Sequence, residues 1–225
     1  MIKALLIDID DTILDFDAYV RDAMKNGFAE FGLGEYSEEK YLTFERVNSG
    51  LWHAIEKGEL TFNELKQIRW NRVFDALGID FDGVRFEKYF RDFLFYSGIP
   101  MDGAREILEY LSGKYLLCTA SNGPYDQQIH RLQVADFYKY FKYNFISESV
   151  GASKPSEEFF SYCLTTLGLS ADEVMMIGDS PTSDMQGAYQ SGIKTCYFDI
   201  KNKPLPEGVR VDYRITKLFE LRNIL

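Results

Sequence analysis

The stretch Lys3-Ala4-Leu5-Leu6-Ile7-Asp8-Ile9-Asp10-Asp11-Thr12 constrains the fold more than any other part of the chain. A short apolar run with sharp bounds predicts a buried strand. A buried parallel strand is apolar on both faces. The run ends abruptly in carboxylates, so those acids lie where the strand leaves the core. In an open α/β sheet, that edge is where ligands bind. Asp8 and Asp10 are two residues apart and point to the same side while strand geometry lasts. Two neighbouring carboxylates repel unless a cation or a shared proton relieves them. The pair reads as a divalent metal site, a proton-transfer pair, or both. The plain alternative is an acidic strand end followed by a turn.

After this acidic loop the periodicity becomes helical. Val20, Ala23, Met24, Gly27, Phe28 and Phe31 follow helical spacing up to Gly32 and Gly34. Tyr41, Phe44, Leu51, Trp52 and Ile55 share one face of a second helix, predicted from Ser37 to Lys57 and closed by Gly58. Thr61-Phe62-Asn63-Glu64 is a capping box that opens a third. Phe86, Tyr89, Phe90, Phe93 and Leu94 mark a fourth. Ser97-Gly98-Ile99-Pro100 then breaks the pattern and reads as a linker. Beyond it, strands predicted at 115–119, 144–147, 174–177, 194–197 and 211–214 alternate with helices, three of which are expected to begin at Pro155, Pro181 and Thr216. The expected fold is α/β: a doubly wound parallel-sheet, Rossmann-like core from residues 1–15 and 97–225. An all-helical cap domain, residues 16–96, is inserted after the first strand and placed to act as a lid.

The formal net charge of −10 opposes nucleic-acid polymers and anionic membranes. No apolar run is long enough for a membrane span. The first strand begins almost at the N-terminus and leaves no room for a signal peptide. A cytoplasmic protein, monomer or homodimer, is expected. Cys118, Cys163 and Cys196 are widely spaced and form no CxxC, which predicts buried, reduced residues. A small phosphorylated metabolite remains compatible with the charge, because a metal ion and one lysine reverse the sign locally.

Each core strand is followed by polar residues of a distinct type. Asp8 and Asp10 follow the first and Ser121-Asn122-Gly123 the second. Gly151-Ala152-Ser153-Lys154-Pro155 follows the third and Gly178-Asp179-Ser180-Pro181-Thr182-Ser183-Asp184 the fourth. These types suit phosphoryl transfer. A carboxylate such as Asp8 can attack phosphorus, and Asp10 can protonate the leaving oxygen and later deprotonate water. Mg²⁺ takes carboxylates plus phosphate and water oxygens, and Asp8, Asp179 and Asp184 supply such an acid set. Ser121, at a helix start, can hold a phosphoryl oxygen. Lys154 can neutralise charge on aspartate and phosphate together.

On these residues the chain resembles the haloacid dehalogenase superfamily in its phosphatase branch. The family's DxDxT motif appears as Asp8-Ile9-Asp10-Asp11-Thr12, its lone Ser/Thr as Ser121, its Lys-Pro as Lys154-Pro155, and its GDxxxxD as Gly178, Asp179 and Asp184. The resemblance implies Asp8 as nucleophile and Asp10 as acid/base. It also implies Mg²⁺ held by Asp8, the Asp10 backbone carbonyl and Asp179, with Asp184 supporting that shell. A closer resemblance is to the YjjG-like pyrimidine 5′-nucleotidases, carried by Val47-Asn48-Ser49-Gly50-Leu51-Trp52 together with the third and fourth strand-end stretches. Ser121 stands where several members have Thr, which keeps the hydroxyl. The activity this implies is Mg²⁺-dependent hydrolysis of a pyrimidine nucleoside 5′-monophosphate through an aspartyl-phosphate. The alternatives are a sugar-phosphate or phosphoglycolate phosphatase, a haloacid dehalogenase, and a non-enzymatic phospho-switch or scaffold.

Substrate contacts are expected from Ser121, Asn122, Asn48 and Trp52. Asn48 shares an apolar face with Phe44, Leu51 and Trp52, so it needs a polar partner, in the substrate or within the helices. Arg69 and Arg72 read as solvated helix faces, and His53 and His130 as surface residues.

Overall fold

A computed structural model describes residues 1–202 and 204–225. The chain divides into two compact units, Met1–Phe16 with Gly98–Leu225, and Asp17–Ser97. Strand β1 (Ala4–Ile7) is buried throughout, as an apolar run closed on both sides requires. Helices α1 (Phe16–Phe31), α2 (Glu38–Glu56), α3 (Phe62–Leu77) and α4 (Gly83–Phe95) follow without an intervening strand.

Helices α2 and α3 start where the sequence predicts, and α2, α3 and α4 each have a side-chain cap. Ser37 caps α2 by accepting from the Lys40 N–H, and Thr61 and Glu64 close a complete capping box on α3. Asp82 accepts from the Val84 and Arg85 N–H groups to start α4. The unit's core is aromatic. Trp70 is fully buried, with ring centroids of Phe44, Phe74, Phe86 and Phe90 at 4.3–5.5 Å. Gly27 of α1 makes this packing possible: a Cβ there would lie 2.6 Å from Tyr89 and 2.8 Å from Phe86. Arg69 departs from the sequence expectation. It is 4% exposed and donates to both carboxylate oxygens of Glu87, at 2.9 and 2.6 Å. Its place on α3 faces α4, where only a paired cation is tolerated. Arg72 is exposed, as expected.

The first unit resumes with α5 (Ala104–Ser112), β2 (Leu116–Ser121), α6 (Tyr125–Val134), β3 (Tyr143–Ile146), α7 (Ser147–Val150), α8 (Glu157–Leu167), β4 (Val174–Gly178), α9 (Gly187–Gln190), β5 (Lys194–Phe198) and β6 (Tyr213–Ile215). All six strands are parallel, in the order β3-β2-β1-β4-β5-β6. Strand alternation sends Leu5 and Ile7 to one face, with Ile107, Leu108 and Leu111 of α5. It sends Ala4 and Leu6 to the other, with Phe159, Phe160 and Cys163 of α8. This is the doubly wound α/β sheet the sequence predicts. The chain proceeds to β2 and β3 on one side of β1 and to β4–β6 on the other. The ends of β1, β2 and β4 therefore flank a topological switch point, where such sheets bind ligands.

Four elements differ from expectation. The helix after Lys154 begins at Glu157, not Pro155, because Ser156 supplies the cap by accepting from the Phe159 N–H. The helix predicted from Pro181 opens as a π-wound turn, Pro181–Gln186, in which the Asp184 carboxylate folds back to the Ser180 N–H. The C-terminal helix is only a 3₁₀ segment, Leu218–Asn223. The last strand also starts at Tyr213 instead of Val211, because the Asp212 carboxylate takes the Thr195 N–H and hydroxyl instead of continuing the ladder. All three cysteines are buried and free, and burial pushes the thiols of Cys118 and Cys196 up to about 12. Such thiols are inert. His53 is exposed and His130 half-buried. Among the described residues no helix is long and apolar enough to cross a membrane.

Candidate active site

Asp8 follows directly on β1 and still bonds into the sheet, its N–H donating to the Ile177 carbonyl at 2.9 Å. Its side chain is thereby fixed at the strand end, 7% exposed. The next residues close a tight loop. Both Ile13 and Leu14 donate to the Ile9 carbonyl, and Asp11 sits in the left-handed region with its carboxylate accepting from the Phe16 N–H. This loop turns Asp10 to one side of the strand end.

Lys154 joins three strand ends. Its ammonium donates to Asp8 Oδ1 at 2.6 Å, the Ala120 carbonyl at 2.6 Å and Asp184 Oδ1 at 2.5 Å. The Asn122 carboxamide holds the lysine's backbone from both ends, accepting from its N–H at 2.9 Å and donating to its carbonyl at 2.8 Å. Asn122 is thus an anchor for Lys154, a geometry its sequence position alone did not reveal. Asp184 has its second oxygen on the Ser180 N–H at 3.0 Å. Gly178 is required for this: a Cβ there would lie 2.2 Å from Asp184 Oδ2.

Asp8, Asp179 and Asp184 each present a carboxylate oxygen within 4.8 Å of the others. Desolvation drives the Asp8 carboxyl up, to about 8, against the pull of Lys154; the nearby Asp184 and Asp10 add to the rise. Asp179 is likewise held well above the carboxylate range, by burial and then by Asp11, Asp8 and Asp184. Burial works against the Lys154 charge, but Asp184 and Asp8 outweigh it and raise its pKa. Three carboxylates thus cluster where there is one ammonium, which bonds two of them. An all-oxygen set with excess negative charge fits a hard divalent cation. Both Asp184 oxygens are engaged, which suits a supporting role for it in such a site.

Two residues of this site were not anticipated. Gln128 and Arg131 of α6 are each 1% exposed. Gln128 Nε2 donates to Asp10 Oδ2 at 2.9 Å and to Ser121 Oγ at 2.8 Å. Arg131 Nη1 donates to Asp10 Oδ1 at 2.6 Å and to Gln128 Oε1 at 2.8 Å. A signal existed: polar residues occupy positions i and i+3 on the buried face of a helix that follows Ser121 directly.

Asn48 and Trp52 lie on α2 of the helical unit. Asn48 has a partner there, accepting from Arg69 Nη1 at 3.1 Å, and the Trp52 ring lies 5.9 Å from that of Phe62.

A sequence model of the haloacid dehalogenase-like hydrolases matches residues 2–192. YfnB of Bacillus subtilis, named as a HAD-hydrolase, is 33% identical over 99% of this chain and 95% of its own. A crystal structure of YfnB bound to magnesium superposes with a TM-score of 0.92 over 100% of this chain and 98% of that one, at 32% identity. The pyrimidine 5′-nucleotidase PynA of Streptococcus pneumoniae is 32% identical over 88% of this chain and 84% of its own. The pyrimidine 5′-nucleotidase YjjG of Escherichia coli is 26% identical over 98% and 96%.

Proposed function

The chain belongs to the haloacid dehalogenase-like hydrolases, and from that premise we propose that it is a phosphomonoesterase acting on small phosphorylated metabolites, with pyrimidine nucleoside 5′-monophosphates as its substrates. The observation that carries this reading is the Lys154 ammonium bonded at once to Asp8 and Asp184, with Asp179 beside them. The site holds a nucleophile, a fixed cation and an unfilled charge requirement at one sheet edge.

An Asp8 oxygen attacks phosphorus as the ester P–O bond breaks, and Asp10 gives the leaving oxygen a proton. Water then attacks the phosphoryl-Asp8, Asp10 takes the water's proton, and phosphate leaves with the Asp8 carboxylate restored. Ser121 donates its hydroxyl proton to a phosphoryl oxygen, and Lys154 neutralises charge on the nucleophile and the transferred group. Asp8, Asp179 and the Asp10 backbone carbonyl, supported by Asp184, would hold Mg²⁺, which when bound supplies positive charge against the anionic phosphoryl group. The nucleotide preference is supported by the two relatives named as pyrimidine 5′-nucleotidases, matched over most of their length.

The test is phosphate release from nucleoside and sugar monophosphates, with Mg²⁺ and with EDTA. We expect metal-dependent release favouring uridine and thymidine monophosphates. Release favouring a sugar phosphate or phosphoglycolate would overturn the substrate, and undiminished release in EDTA would overturn the metal.

A further inference from the structure

Arg131 has only N–H donors to offer, whereas a carboxamide has one end of each kind. Because Arg131 Nη1 faces Gln128 at 2.8 Å, the Gln128 oxygen must point to it. The NH₂ end then has to face Asp10 and Ser121, and its two protons are both engaged there. Ser121 accepts on Oγ, so its single proton is left for another acceptor. Asp10 receives one donor on each oxygen, Arg131 on Oδ1 and Gln128 on Oδ2. Its side chain is still one-third exposed, although both donors are buried. The carboxylate is held from behind by two donors and open on its other side. A buried arginine carries a heavy desolvation cost unless paired. Packing alone would be met by an apolar residue at 131, as it is at Leu132 beside it.

We propose that Arg131 and Gln128 are positioning residues, with Arg131 setting the Gln128 carboxamide so that it aims Asp10 and Ser121 together at one phosphoryl ester. The inference rests on the reading of Asp10 as proton donor to the leaving oxygen. It adds that the proton donor and the phosphoryl-oxygen donor are held in one geometry by a single amide. Losing that amide leaves Asp10 held on Oδ1 alone by Arg131 and uncouples it from Ser121, and the step that suffers most is protonation of a poor leaving group.

The experiment compares single-turnover release of p-nitrophenol from its phosphate with release of the nucleoside from a pyrimidine 5′-monophosphate, in Mg²⁺. p-Nitrophenolate leaves without a proton, and a nucleoside alkoxide does not. Asp10→Asn sets the scale: its loss on the nucleoside ester is expected on the order of 10²–10⁴-fold, and far less on the aryl ester. Arg131→Met and Gln128→Leu are expected to reproduce that split, slowing the nucleoside ester about 10-fold more than the aryl ester. Arg131→Lys should restore part of it. Gln128→Leu removes no charge and carries the test if Arg131→Met does not fold. Equal slowing of both esters in the folded variants, or none, would overturn the inference while Asp10→Asn still shows its split. Absence of a split in Asp10→Asn would overturn the acid role itself, and absence of turnover in the parent would overturn the proposed function.

Discussion

Each unit of this protein buries a cation against carboxylates, and the two do so with opposite balance. In the helical unit, Arg69 meets Glu87 one to one. Its fork covers both carboxylate oxygens, and Asn48 takes a further donor. Burial raises the Glu87 carboxyl and Arg69 pulls it back. In the α/β unit, one Lys154 faces Asp8, Asp184 and the nearby Asp179. There burial and mutual repulsion leave Asp8 far above its usual range. The first arrangement is complete within the protein, and the second is not. A buried pair with matched charge and matched hydrogen bonds serves the fold. A buried cluster with surplus negative charge weakens the fold unless something else binds, and that marks it as a site.

Removing one carboxylate from each cluster, or its partner, should therefore have opposite consequences. Asp8→Asn is expected to abolish phosphate release, by about 10³-fold or more, since no other group replaces the proposed nucleophile. It should nonetheless melt no lower than the parent, because it deletes a carboxylate whose charge the fold disfavours. Turnover at the parental rate would sink the nucleophile assignment. A clear drop in melting temperature would sink the idea that the cluster carries surplus charge.

Arg69→Met strands the Glu87 carboxylate in the helical core, and a loss of about 3–5 kcal/mol is expected. The double change Arg69→Met with Glu87→Leu should recover most of it, since an apolar pair of similar size meets no desolvation cost. Trp52 and Trp70 are the only tryptophans and both lie in the helical unit, so urea unfolding followed by tryptophan fluorescence reads this unit directly. If the double variant is no more stable than the single, the pair is not the balanced structural element described here.

The same contrast explains what the sequence could and could not reveal. The sheet was legible because β1 is apolar at every position and the later strands alternate with helices. Asp8 and Asp179 were legible because each directly follows a strand, and Lys154 and Asp184 because each lies in the segment that leads on from one; strand ends at a switch point converge whatever the details of packing. Arg69 was misread because a single arginine on a helix gives no sign of Glu87, which lies on another helix. Gln128 and Arg131 were missed for the same reason: their partners Asp10 and Ser121 belong to other elements, the loop after β1 and the end of β2. Local pattern places elements and their ends. Pairing across elements depends on where helices pack, and a polar residue on a buried face is the only local trace of it. The start of α8 was misread because Pro155 is an acceptable first helical residue, while Ser156 is the better cap.

The smallest expected effect is on stability as pH changes, and its sign separates the two clusters. A carboxyl whose folded value exceeds its unfolded value keeps its proton in the folded chain after the unfolded chain has released it. Over that interval the folded state binds more protons, so stability falls as pH rises. For Asp8 the interval runs from about 4 to about 8, and the raised Asp179 acts in the same direction. Exposed cap carboxylates such as Glu64 and Glu220 are lowered, so their contribution is lost only on acidification below the usual carboxylate range, outside this interval. Calorimetric melting in EDTA should therefore show the melting temperature declining by a few degrees from pH 5 to pH 8. Mg²⁺ binds the deprotonated carboxylates, so the stabilisation it brings should grow over the same span. Glu87 is also raised, but it sits opposite its own cation and offers Mg²⁺ nothing, so its share of the decline should persist with the metal present. A metal effect that is constant with pH, or larger at pH 5, would mean that the excess charge is relieved by protons held within the cluster and not by a cation.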